Sequence, residues 1–209
     1  MAYLSDDEFK RILLAEPLES VVNQYIFEGT PFVFRDHPKL YQDLREHIGT
    51  SLNLPHENII VVGSAKVGFS LAPDNSFVAF SEESDIDVVV VNERLFDQGW
   101  LTLLRWNYPR RHHLPDPELR WARKRIEDLY WGWFRPDKIH FTGLSFPEAL
   151  KPLRDLSTQW FDAFRSLSQK EAFARRTVSG RLYRTWDHAL LYHAHGLQRL
   201  KTTLQSKGV

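Results

Sequence analysis

The chain has 209 residues, of which 43% are hydrophobic and 26% are charged, a composition typical of a globular protein with a sizeable core. It contains no cysteine, which excludes disulfides and thiolate metal sites, and its basic and acidic residues balance, so net charge gives no argument for nucleic-acid binding. The N-terminus is acidic, unlike a secretory signal, and no apolar run is long enough to span a bilayer, so we expect a cytoplasmic protein with no membrane partner.

Helical signals dominate residues 1–55. Ser5 followed by Glu8 has the form of a capping box, in which each residue satisfies a backbone amide of the other. Pro17 and Pro38 each stand at the start of an apolar pattern with helical spacing. We therefore predict a set of helices before the first strand.

Two β-branched runs follow, and each is joined to a polar motif. Ile59–Val62 stops at Gly63–Ser64, which predicts a buried strand that ends in a tight turn. Val88–Val91 comes directly after an Asp-x-Asp motif at positions 85–87, which predicts a second buried strand. Strands of one sheet would bring the Gly-Ser turn and the Asp-x-Asp motif together at their ends.

The Asp-x-Asp motif has the chemistry of a metal site. Along a strand, Asp85 and Asp87 point to the same side while Ile86 points into the core. Two neighbouring carboxylates repel each other unless a cation lies between them, and Mg²⁺, or Mn²⁺ in its place, is the expected cofactor because it prefers oxygen ligands and substrate phosphates. The alternative is that the motif is a solvated turn before a core strand.

These motifs resemble those of a known group of enzymes. The Gly-Ser turn, a spacer, and Ser84–Asp87 followed by a valine run are similar to the signature of the DNA polymerase β-like nucleotidyltransferase superfamily, over about the middle third of the chain. That superfamily includes the minimal nucleotidyltransferases, the poly(A) polymerases and CCA-adding enzymes, and the bacterial cGAS/DncV-like enzymes, whose longer spacer is closer to the one here. The resemblance implies that Gly63 and Ser64 contact nucleotide phosphates and that Asp85 and Asp87 are the catalytic, metal-binding residues.

The resemblance also implies a fold. We expect an α+β protein with a nucleotidyltransferase-type mixed β-sheet flanked by helices and a helical C-terminal part. Residues 1–209 would form a single nucleotidyltransferase-like domain, with N-terminal helices in 1–55, a core carrying both motifs in 56–145 and a mainly helical part in 146–209.

Lys66 and Ser70 follow the Gly-Ser turn in a segment predicted to be helical. The first turn of a helix offers backbone amides and a favourable dipole to phosphate, so both residues are predicted to help bind a triphosphate. For Lys66 the alternative is a solvated surface lysine.

A third carboxylate is expected from the resemblance but has no clear match. The superfamily usually supplies it from a later strand, and no later strand here shows an aspartate between apolar residues. The candidates are Asp137, before a predicted short strand at 139–141, and Asp187, after a β-like stretch at 173–184 in which Gly180 indicates a bulge. Two carboxylates alone could hold one magnesium ion.

Further polar groups have both functional and structural interpretations. Residues 105–113 mix basic and aromatic side chains, and a predicted helix over 117–134 carries a basic cluster, so both suit contact with phosphates and bases or exposure to solvent. His188, Tyr192 and His195 share one face of the final predicted helix, where packing competes with a metal or base role.

Two functions therefore remain open. The first is a metal-dependent nucleotidyltransferase that transfers a nucleoside monophosphate from a nucleoside triphosphate such as ATP to an RNA end, a small molecule or a protein; bacterial relatives in the superfamily serve in antiviral defence or as toxins. The second is a catalytically weak nucleotide- or RNA-binding sensor or scaffold subunit of the same fold, with a partner protein. Exposure of large aromatic residues would favour the second: Trp100, Trp106, Trp131 or Trp133.

Overall fold

The computed structural model describes residues 3–110, 113, 115–139 and 147–206. The chain is α+β, as predicted. The helices are α1 Asp6–Ala15, α2 Leu18–Val21, α3 Pro38–Leu52, α4 Ser64–Val67, α5 Glu93–Asn107, α6 Asp116–Tyr130, α7 Lys151–Ser168 and α8 Trp186–Ser206. The strands are β1 Ile59–Val62, β2 Ile86–Val91, β3 Trp133–Phe134 and β4 Val178–Tyr183, and a π-helical segment, Val22–Phe27, continues α2.

The described strands form a mixed sheet in the order β1-β2-β4-β3. The central strand β2 pairs antiparallel with β1 and parallel with β4, and the short β3 pairs antiparallel with β4. The two predicted β-branched strands are therefore neighbours, and β4 supplies the parallel partner from much later in the chain.

Helices cover both faces of the sheet. On one face, alternate residues of β1, β2 and β4 form a core with α3, α5 and α7; the strand residues involved are Ile59, Val61, Ile86, Val88, Val90, Val178 and Leu182. On the other face, α1, α2, the π-helical segment and α8 pack on Ile60, Val62, Val89, Val91 and Tyr183. The strands are buried on both sides, which explains why they read as continuous apolar runs rather than as alternating patterns.

The helix starts follow local rules that the sequence carries. Ser5 and Glu8 form the expected capping box at the start of α1. Pro38 is at the first turn of α3, where the missing amide costs no hydrogen bond. Asn92 caps α5 by accepting a hydrogen bond from the amide of Leu95 at 2.8 Å.

Gly180 does not mark a bulge. It lies in regular parallel register opposite Val88, with its neighbours paired in sequence on either side. A β-carbon at this position would lie 2.3 Å from Cζ of Phe164, whose ring stacks on Trp160 with centroids 4.9 Å apart. The glycine is required because α7 packs its aromatic rings directly against the backbone of β4.

Some sequence predictions fall partly outside the described residues. These include most of the predicted strand at 139–141 and Arg111 and His112 of the basic stretch. In that stretch Trp106 is buried in the core, so it does not offer a ring to a ligand. Among the helices in the described part of the chain, none is long and apolar enough to cross a membrane.

The close approach of α7 to β4 gives a direct test of this packing. Gly180→Ala should lower the free energy of unfolding by about 1–3 kcal/mol, because the new methyl group displaces rings that have no room to move. Chemical denaturation would measure the change. Gly196→Ala is the matched control: no atom lies within 4 Å of its β-carbon position. In α8 it should raise stability by about 0.5–1 kcal/mol, and equal effects of the two substitutions would contradict the packing.

Candidate functional site

The Gly-Ser turn lies against the Asp-x-Asp strand. In the β1-β2 ladder Val62 is opposite Asp87, so the next residue, Gly63, leaves the sheet beside that carboxylate. Gly63 has φ 68° and ψ −149°, a conformation open in practice only to glycine. A β-carbon on Gly63 would lie 3.4 Å from Oδ2 of Asp87. The turn therefore leaves backbone partly exposed directly next to the acid.

The two aspartates are accessible and are not neutralised by basic side chains. Ile86 between them is completely buried, whereas Asp85 and Asp87 are both exposed. Asp87 accepts a hydrogen bond from the Ser179 hydroxyl at 3.0 Å. Among the described residues, neither carboxylate forms an ion pair.

These residues fit only one kind of magnesium site. Within the described ranges, no group of three or more histidine, cysteine or acidic side chains is close enough to hold a metal. A cage made entirely of protein ligands is therefore not present there. Two exposed carboxylates do suit Mg²⁺ that takes its other ligands from water and substrate phosphates, the usual arrangement for this ion.

Neither candidate for a third carboxylate lies on the strand next to β2. Asp137 belongs to a 3₁₀ turn and forms an ion pair with Arg135 at 2.8 Å. Asp187 is in the first turn of α8. The strand beside β2 is β4, and its residue in register with Asp87 is Ser179. Since side chains alternate along a strand, the next residue of β4 on that face is Arg181, which is a cation rather than an acid.

Lys66 and Ser70 make their hydrogen bonds to other parts of the chain and not to the aspartates. Lys66 is 5% exposed and its ammonium donates hydrogen bonds to the carbonyl oxygens of Glu28 and, at 2.9 Å, Gly29. It lines a separate cavity of about 260 Å³, so the alternative of a solvated surface lysine is wrong. Ser70 exchanges backbone hydrogen bonds with Phe77 and Val78, and its hydroxyl accepts from the amide of Ala72 at 3.3 Å.

The helix predicted after the turn is present but consists of a single turn. The four residues of α4 run from Ser64 to Val67, and Gly68, with φ 96°, caps the helix. A single turn has too little aligned backbone for a substantial dipole. Any phosphate contact at this point must therefore depend on the partly exposed backbone at Gly63 and on the Ser64 hydroxyl.

Gly63 and Asp87 line a cleft of about 170 Å³ between the open part of the sheet and α8. Its polar lining includes Ser179, Arg181, Arg135, Tyr192 and His193.

Of these polar residues of the cleft, sequence reasoning singled out only Tyr192 and missed Ser179, Arg181, Arg135 and His193. It placed the functional face of α8 on His188, Tyr192 and His195, but His188 bonds Thr185 through Nδ1 at 2.7 Å and His195 is exposed. The alternation of β4 could have marked Ser179 and Arg181 as one face, but only if the strand had been recognised as regular.

Arg181 carries a fixed charge in this cleft. Its guanidinium lies over the rings of Trp133 and Tyr192, 4.4 and 4.2 Å from their centroids. Burial opposes the charged form, but the Tyr183 and Tyr192 hydroxyls hold the pKa of the guanidinium above its ordinary value, so Arg181 stays charged. Burial, and then the charge of Arg181, lower the pKa of His193 to about 4, which leaves that imidazole neutral at physiological pH.

No protein-family model matches this chain, and no match was found among curated proteins or among solved structures.

The buried Lys66 gives a pH-dependent test of the structure around the turn. Burial lowers the pKa of Lys66 from 10.5 to about 8, so between these values the unfolded chain binds more protons and stability rises with pH. From about pH 7.5 to pH 9.5 we expect the wild type to gain about 1–3 kcal/mol relative to Lys66→Met in urea denaturation. Lys39→Met, which alters an exposed lysine of α3, should track the wild type. A constant difference between wild type and Lys66→Met across this range would contradict the buried, charged lysine.

Proposed function

We propose that this chain is a metal-dependent nucleotidyltransferase that binds a nucleoside triphosphate in the cleft beside Gly63 and Asp87. One observation carries the proposal: the β1-β2 register sets the Gly-Ser turn against an exposed Asp-x-Asp motif whose carboxylates have no cationic partner among the described residues. Backbone that can approach phosphate and acids that can hold magnesium are the two parts that nucleotide binding needs.

Each part of the cleft has a role in the proposed reaction. Gly63 lets the phosphates approach the backbone because it has no side chain, and the Ser64 hydroxyl can donate a hydrogen bond to them. Asp85 and Asp87 are the residues that would hold Mg²⁺. When bound, the ion would offset the charge that develops on the phosphates and favour ionisation of the attacking hydroxyl. Ser179 fixes the orientation of Asp87 by donating to Oδ1.

The reaction is an in-line displacement. The acceptor hydroxyl oxygen bonds to the α-phosphorus, the bond from that phosphorus to the bridging oxygen breaks, and pyrophosphate leaves while the hydroxyl proton is released. In such a step the protein mainly positions the reactants and stabilises the developing charge, so few residues need specialised chemistry. The acceptor classes remain those of the sequence prediction: an RNA end, a small molecule or a protein.

Two observations favour a second function, a catalytically weak nucleotide-binding subunit of a larger assembly. Ser179 and Arg181 occupy the face of β4 where a further acid could have joined Asp87. Two of the four tryptophans in question are also exposed: Trp100 by 43% and Trp131 by 60%, whereas Trp106 is buried and Trp133 is partly buried beneath Arg181. On α5, Trp100 lies beside exposed Leu101 and Leu104, which forms an apolar stripe of the kind found at protein interfaces.

Label transfer would decide between the two functions. Purified protein is incubated with each α-phosphate-labelled nucleoside triphosphate and Mg²⁺ or Mn²⁺, with total RNA, small hydroxyl compounds and the protein itself as acceptors. We expect transfer by the wild type and a loss of about 100-fold or more in Asp87→Asn, because the variant removes charge where the metal and phosphates must be held. Asp85→Asn should behave similarly.

Asp74→Asn is the matched control, since it changes an exposed aspartate in a turn outside the cleft. It should transfer label at the wild-type rate. Transfer that persists in the double variant Asp85→Asn/Asp87→Asn would contradict the proposal. Magnesium-dependent nucleotide binding by calorimetry without transfer to any acceptor would instead support the binding subunit.

A further inference from the structure

Arg181 is unusual because it is a partly buried cation that forms no ion pair among the described residues; Asp128 interacts with it only at longer range. In the described part of the chain, no acidic side chain lies within ion-pairing distance of its guanidinium. Its NH1 reaches the Tyr183 hydroxyl at a long 3.4 Å, and its buried Nε has no hydrogen-bond partner there. Buried charges in proteins are normally paired, so an unpaired guanidinium in a cleft indicates a ligand.

The surroundings of Arg181 hold the guanidinium in one place. Trp133 from β3 and Tyr192 from α8 both contact it through their ring faces, so elements on two sides fix its plane. His193 Nε2, also buried and without a partner among the described residues, lines the same cleft. The cleft thus contains unsatisfied polar atoms that a bound molecule could satisfy.

We propose that Arg181 is a phosphate-binding residue of the cleft, where its guanidinium pairs with the terminal phosphate oxygens of a bound nucleotide. A planar guanidinium held in a fixed orientation can bind two phosphate oxygens at once, which a lysine cannot do. Arg181 is on the same face of the sheet as Asp87 and one alternate position beyond Ser179, so one ligand can lie along both strands.

The charge of Arg181 also offsets a repulsion within the cleft. Asp87 on the neighbouring strand would repel a polyphosphate, and a cation nearby reduces that repulsion before any metal binds. This inference rests on the proposed function for the identity of the nucleotide, but anion binding by Arg181 does not require transfer or metal.

Calorimetry with tripolyphosphate tests this residue apart from catalysis. The titration is performed in EDTA, so Asp85 and Asp87 cannot contribute through a metal. We expect wild type to bind and Arg181→Gln to lose roughly 10- to 100-fold in affinity, the range for a charge-assisted hydrogen-bonded pair. Arg184→Gln is the matched control: it removes a nearby arginine that is ion-paired with Glu93 and Asp97, and it should bind like wild type.

A second variant and a second anion complete this experiment. Circular dichroism shows whether Arg181→Gln folds. If it does not, Arg181→Lys takes its place: this variant keeps the positive charge but loses the paired N–H donors of the guanidinium, so it should bind tripolyphosphate several-fold more weakly than wild type. Wild-type affinity in whichever variant folds, or citrate binding as tightly as tripolyphosphate, would overturn the proposal. Arginine-dependent tripolyphosphate binding without any label transfer would keep this inference and reject the transferase. Label transfer by the wild type, together with tripolyphosphate binding that does not depend on Arg181, would keep the transferase and reject this inference.

Discussion

The hydrogen bonds between β1 and β2 set Val62 opposite Asp87, and because side chains alternate along both strands this register decides which residues face the core and which face the cleft. A slip of β2 by one residue would turn Asp87 from the cleft into the core that the sheet forms with α3, α5 and α7. That slip is costly because the carboxylate would be buried among apolar side chains without a partner. The position of the turn beside the acid is thus a consequence of core burial.

The cleft exists because the coverage of the sheet is incomplete on one face. The π-helical segment and α8 cover the Val62, Val89 and Tyr183 side chains, but the end of β2 and the facing part of β4 stay open. Lys66 ties α4 to the end of the π-helical segment, where its ammonium binds carbonyl oxygens. A residue that resembles a phosphate ligand in the sequence therefore joins two parts of the backbone.

Local signals in the sequence were sufficient for much of the fold. The caps at Ser5 and Asn92 act within a few residues, and the two valine-rich runs could only be buried strands. Arg181 and Ser179 could not be placed, because their position depends on pairing between distant segments that no local pattern encodes. Gly180 was misread for a related reason: its close contact is with Phe164 on another element, so the sequence alone offers a bulge as readily as a packing site.

The parallel pairing of β2 with β4 has a consequence for how the protein folds. Asp87 and Ser179 are 92 residues apart, so one edge of the valine-rich strand β2 has no partner until most of the chain has been made. During synthesis, β2 and β1 can pair early, but the valines of β2 still present open amides and carbonyls to other chains. Formation of the sheet must wait for a long loop to close, which slows folding and exposes an aggregation-prone edge. The same strand that carries the acid of the cleft therefore keeps one unpaired edge until β4 has been made.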